Sequence, residues 1–186
     1  MQQAAAPQVL CGQVHNGSCT TPVRQPRWLC AQHDNPSIRI IAASVADRPE
    51  ILRDLSRTDA RDFVAENPSC PQDTLQHLSH STDVHVRSAV ARNSNCPDEL
   101  LLELCRDPEP RVRLGVTRQA NIPQQIWDIL AVDDDPAVRH EIVRRPDAPL
   151  GILLRLTSDR VSYIAWDARH HPAVSPAVLA MWQLVH

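Results

Sequence analysis

The chain of 186 residues contains no lysine: all 19 basic residues are arginine. Aromatic residues make up 3%, with one tyrosine and one phenylalanine. With a net charge of −3, this composition gives little support to indiscriminate nucleic-acid binding by the whole protein. No apolar run approaches the length of about 18 residues needed to span a bilayer. The opening Met1-Gln2-Gln3-Ala4 also lacks the basic and apolar regions of a secretory leader, so a cytoplasmic location without membrane contact is expected. A recognisable catalytic constellation is missing too. His140, His170, His171 and the run Asp133-Asp134-Asp135 bring no nucleophile, base and orienting group together by spacing, and no enzymatic activity is expected. The Asp run reads as a capping or solvated turn, and His170-His171 as surface. A G+C-rich coding bias accounts for arginine without lysine, although arginine also suits bidentate recognition of carboxylates and phosphates.

What is present is a period. Pro71, Pro97, Pro123 and Pro149 recur every 26 residues, as do Arg61, Arg87, Arg113 and Arg139. The shared template is V-R-x-x-V-x-R, a few polar or small residues, Pro, and an apolar run ending in Leu and Asp. Two apolar groups divided by a breaker make a helical hairpin, so the chain is expected to be all-α, a stack of about six two-helix units. The approximate units are 35–58, 59–82, 83–108, 109–134, 135–159 and 160–186. The first is shortened by four residues, because Arg39 to Arg61 spans 22, and the last is degenerate. Terminal repeats lack a neighbour on one side and depart from the pattern.

Each first helix should open near Asp83, Glu109 or Asp135, whose carboxylates accept from free N–H groups. Pro110 and Pro136 suit the first helical position. Val86, Ala89 and Val90 share an apolar face, as do Val112, Gly115 and Val116, and Val138, Glu141 and Ile142, with Glu141 out of character. Second helices should bury Leu100, Leu101 and Leu104, then Ile126, Ile129 and Leu130. Cys70 and Cys96, at one repeat position before the proline, and Cys105 read as packing residues. In the last helix Met181, Trp182, Leu184 and Val185 either pack back on the fifth unit, the arrangement expected, or form an exposed contact surface.

The stretch Val86-Arg87-Ser88-Ala89-Val90-Ala91-Arg92-Asn93, with Pro97-Asp98-Glu99-Leu100-Leu101, resembles the leucine-rich repeat variant family. The resemblance runs over roughly 35–186. It implies a right-handed α-solenoid superhelix in which helices alternate with 3₁₀ or short α segments, so the second element of each unit is expected as either.

Residues 1–34 form a separate candidate region. Cys11, Cys19, Cys30 and His33 read C-x7-C-x10-C-x2-H. Three thiols and an imidazole can surround one tetrahedral zinc ion, and the segment has too few large apolar residues for a core of its own, so a metal-stapled cap is expected. The pattern also looks like the short Cys₃His zinc loops of bacterial proteins. The family resemblance implies a rival, a [4Fe–4S] cluster, which needs a fourth ligand from His33, His15 or Cys70.

Two arginine sets remain. Arg87, Arg113 and Arg139 follow the core valine, and Arg92, Arg118 and Arg144 lie five residues later, on adjoining faces at the edge of the apolar stripe. They either cover the core and pair with Asp83, Glu109 or Asp135, or line a binding surface. The function expected is a protein-interaction scaffold. The alternative is a nucleic-acid-binding module that uses these ladders with Arg24, Arg27 and Trp28.

Overall fold

The computed structural model describes residues 31–185, which form twelve helices and no strand among the described residues. Cys11, Cys19 and Cys30 lie outside the described residues. The helices alternate as first and second members of six units. The first helices are α1 (Pro36–Val45), α3 (Arg61–Glu66), α5 (Val84–Arg92), α7 (Pro110–Val116), α9 (Pro136–Val143) and α11 (Ser162–His170). The second helices are α2 (Pro49–Leu55), α4 (Gln72–Ser79), α6 (Asp98–Leu104), α8 (Gln124–Leu130), α10 (Leu150–Leu156) and α12 (Pro176–Val185).

Local chemistry sets the boundaries. Asn35, Asp83 and Asp135 are N-caps whose side chains accept from the N–H of Ser37, His85 and Ala137. Glu109 holds the equivalent place without a side-chain cap bond. Pro71, Pro97, Pro123 and Pro149 are the N-cap residues of α4, α6, α8 and α10, with ψ between 135° and 153°. Each proline enters a helix of seven or eight residues, and the second elements are therefore α-helical and not 3₁₀.

Helices this short are marginal alone, and stacking supplies the stability. Each first helix packs on the first helices of adjacent units, from α1 on α3 to α9 on α11, and α6 packs on α4 and α8. Between the layers runs one core, where Val86, Ala89, Val90, Val112, Val116, Val138 and Ile142 meet Leu100, Leu101, Leu104, Ile126, Leu130, Ile152 and Leu153. Trp127 is 4% exposed and takes the place of Leu101 one unit on, while Ile129 is only partly buried. The expected burial of Ile129 thus shifts to Trp127, because a seven-residue helix buries its third, fourth and seventh positions. Val178, Leu179 and Trp182 continue that register against the core, whereas Met181 and Leu184 stay exposed, so only part of the last apolar run packs back.

Gly115 marks the closest approach of two first helices. A Cβ there would lie 2.8 Å from Ala91 Cβ and 3.0 Å from the Ser88 carbonyl oxygen. Glu141, one unit further, occupies the same place and is half-buried.

The shortening falls later than the arginine spacing implies. Arg39 and Asp59 are separated by the same 20 residues as the later Arg–Asp pairs. The missing residues lie between Asp59 and Arg61, where α3 lacks its first turn.

Candidate binding surface

Two ladders of buried polar contacts tie the units together. In the first, each arginine of the inner set bridges two loops. Arg87 donates to the Ser81 carbonyl at 2.8 Å and grips Asp107 in a two-pronged pair at 2.7 and 3.0 Å. Arg113 repeats this with the Asp107 carbonyl and the Asp133 carboxylate, and Arg139 with the Asp133 carbonyl and the Asp159 carboxylate. The carboxylates also accept from the backbone N–H two residues on, at Glu109, Asp135 and Val161. Exposure of the arginine side chains falls along the series, 14%, 13% and 4%. The expected partners Asp83, Glu109 and Asp135 are replaced by Asp107, Asp133 and Asp159. Those three Asp share the 26-residue period and lie three residues after the second helices α6, α8 and α10, which was the signal available in the sequence. Arg61 has Ser81 at the corresponding place and makes only a loose pair with Asp83, at 3.9 Å.

The second ladder had no counterpart in the sequence reading. Asn67, Asn93, Gln119, Arg145 and His171 follow the first helices at intervals of 26 residues. Asn93 Nδ2 donates to the carbonyls of Ala65 and Asn67, at 2.6 and 2.8 Å. Gln119 reaches Ala91 and Asn93, Arg145 reaches Thr117 and Gln119, and Asn67 reaches Ala43 and Ala46. These carbonyls end the preceding first helix, where the last C=O groups have no intrahelical donor. His171 Nε2 contacts the Arg145 carbonyl while its Nδ1 accepts from the Ala173 N–H, which places the ring proton on Nε2. His171 is therefore a buried structural residue, contrary to the expected surface position, while His170 is exposed. Asp133 is likewise a buried anchor, with a side chain 5% exposed, within a run expected as a capping or solvated turn, of which Asp135 supplies the cap.

The three thiols among the described residues, Cys70, Cys96 and Cys105, are buried. Burial pushes Cys70 and Cys96 up to about 12 and raises Cys105 as well, so none offers a thiolate at neutral pH.

The outer arginine set behaves differently. Arg92, Arg118 and Arg144 lie at or just past the ends of the first helices, in a column that begins at Glu66 and finishes at His170. Arg92 is paired with Glu66 at 2.7 Å. Arg118 is exposed and forms no ion pair among the described residues, and Arg144 is 66% exposed, with Glu141 no nearer than 3.9 Å. Two neighbouring columns complete the face. One holds Ser88, Leu114, His140 and Trp166, and the other His85, Arg111, Ala137 and Tyr163. Contacts join them: Arg92 Nη1 donates to Ser88 Oγ, His140 meets Tyr163 edge-on with centroids 5.0 Å apart, and Trp166 stacks on His170 at 4.0 Å. From the fourth unit to the sixth these columns contain no carboxylate. Tyr163 is 49% and Trp166 58% exposed, and Trp166 lines a cleft with Val143, Arg144, Pro146, Asp167 and Pro172.

At the N-terminal end, His33 Nδ1 accepts from the Asn35 N–H at 3.0 Å. A metal on either ring nitrogen would replace that bond, since ligation through Nε2 puts the proton on Nδ1. No group of three or more His, Cys, Asp or Glu among the described residues is arranged to hold a metal ion. No described helix is long and apolar enough to cross a membrane.

The model of the leucine rich repeat variant family matches residues 84–109, one unit of the stack, which supports the resemblance of that unit. No curated protein and no solved structure matches the chain.

Proposed function

We propose that the protein is a non-catalytic scaffold that binds another protein across the outward face of its first helices. The observation that carries this reading is the division of labour between the arginine sets. Arg87, Arg113 and Arg139 are consumed by the protein's own loops, while Arg118, Arg144, Tyr163 and Trp166 face solvent in one continuous strip. A strip with the exposed Arg118, the loosely paired Arg144 and exposed aromatic rings has the composition of an interface. The non-catalytic part of the reading rests on the buried side chains of Asn67, Asn93, Gln119, Arg139 and His171, each of which serves a helix end or a turn.

Placing a photo-crosslinking amino acid at position 118, at 144 and, as a control, at Glu103 on a second helix tests this in cells. Discrete protein adducts from 118 and 144 but not from 103 are expected. Adducts from none of the three overturn the reading.

Nucleic acid is the second reading, favoured by the same exposed Arg and aromatic side chains. The net charge of −3 and the removal of the inner arginine set weigh against it. Cys11, Cys19, Cys30 and His33 we propose to hold a structural zinc ion at the start of the stack. Their spacing supports this, and the bond from Asn35 to His33 would have to yield.

A further inference from the structure

Resting on that scaffold reading, we infer that the partner presents an extended acidic segment with carboxylates three residues apart, followed by an apolar residue. Charge complementarity carries the first part. Arg111, Arg118 and Arg144 stand on a face whose columns contain no carboxylate from the fourth unit onward. The nearest acid, Glu141, lies 3.9 Å from Arg144 and is too distant to satisfy its guanidinium. A planar fork left open to solvent matches a carboxylate in two-pronged geometry, as Arg113 already shows with Asp133 inside the molecule.

Repeat geometry gives the spacing. Arg118 and Arg144 occupy the same place in successive units, and packed helices lie roughly 8–10 Å apart. A segment in the polyproline II form turns once every three residues and rises about 3.1 Å per residue, so every third side chain returns to the same side about 9 Å on and meets the next unit. Beyond Arg144 the face changes from cationic to aromatic. The stacked pair Trp166–His170 borders the cleft with Val143, Pro146, Pro172 and Ala173, whose wall also carries Arg144 and Asp167, and the ring faces offer a seat for an apolar residue that follows. A phosphate backbone fits less well. It would repeat its charge past the aromatic end, where Asp167 binds His140 at 2.7 Å.

Fluorescence anisotropy with labelled synthetic peptides tests this on the full chain. The probes are a peptide with aspartates at every third position followed by phenylalanine, the same residues with the aspartates contiguous, a lysine analogue, and single-stranded oligo(dT) and oligo(U). The spaced acidic peptide should bind best, weaken with salt, and lose about tenfold or more affinity to the double variant Arg118→Glu/Arg144→Glu. Trp166→Ala should weaken it while leaving a peptide without phenylalanine unaffected. All three substitutions are at exposed positions, and an unchanged thermal melt confirms folding. Equal binding of the contiguous peptide overturns the register. Oligonucleotide binding with silent peptides overturns the acidic-segment inference in favour of phosphate. Silence from every probe, together with crosslinks from 118 and 144, removes the acidic chemistry but leaves the scaffold.

Discussion

Arg139 and Asp159, twenty residues apart in sequence, form a two-pronged ion pair at 2.7 and 3.0 Å in which each side chain is 4% exposed. It joins the loop before the fifth unit to the loop before the sixth, since Arg139 also donates to the Asp133 carbonyl. The same arrangement around Arg113 and Arg87 makes a continuous stitch along one edge of the stack.

Breaking this pair from one side strands a buried charge. Arg139→Ala is expected to cost about 3–5 kcal/mol, and Arg139→Lys less, because the charge stays while the fork is lost. Urea unfolding followed by circular dichroism measures both. A loss for Arg139→Ala no larger than that for the exposed Arg57→Ala would contradict the role assigned to the pair.

Acid should undo the same contact. Burial alone would raise Asp159, but hydrogen bonds from Arg139 and from the Val161 N–H outweigh it and hold the carboxyl below its usual range. A carboxylate lowered in the native state stabilises fully above its unfolded value of about 3.9, and that contribution disappears as pH falls through the lower native value. The stability gap between the wild type and Asp159→Asn should therefore be constant near neutrality and shrink below about pH 4. Urea midpoints across that range provide the check.

Asn93 closes the end of α3 by donating to two carbonyls. Asn93→Leu leaves the Ala65 carbonyl without a donor in a buried place, while the Asn67 carbonyl keeps the Cys70 N–H, and is expected to cost about 1–3 kcal/mol. Asn93→Gln, the residue type at the equivalent position 119, should be milder. Hydrogen exchange of the α3 and α5 amides should rise in the first variant more than in the second.

Gly115→Ala introduces a methyl group 2.8 Å from Ala91 Cβ. Neither a backbone nor a Cβ can swing aside, so α5 and α7 must separate, at about 1–3 kcal/mol. Adding Ala91→Gly should recover much of the loss. A double variant no more stable than Gly115→Ala would place the strain elsewhere.

Metal analysis of anaerobically purified protein bears on the N-terminal site. Equimolar zinc in a colourless protein is expected, and Cys19→Ser should lower it. A brown protein carrying four irons would replace zinc with the cluster.

The sequence by itself determined the repeat. Proline every 26 residues, valine pairs at helical spacing and acidic residues at the helix starts are local signals, and each acts within a few residues of itself. They were enough for the helix pairs, most of the core and the caps at Asp83 and Asp135. Tertiary structure decided the roles of the polar side chains, because those depend on what the neighbouring unit offers. An arginine beside a core valine reads alike whether it points at a carboxylate twenty residues on or into water. Only the stack separates Arg139, enclosed by the next loop, from Arg144, which one further turn of helix carries past the edge of the core. The role of Asn93 was hidden for the same reason: the carbonyls it serves become neighbours only when one unit lies on another.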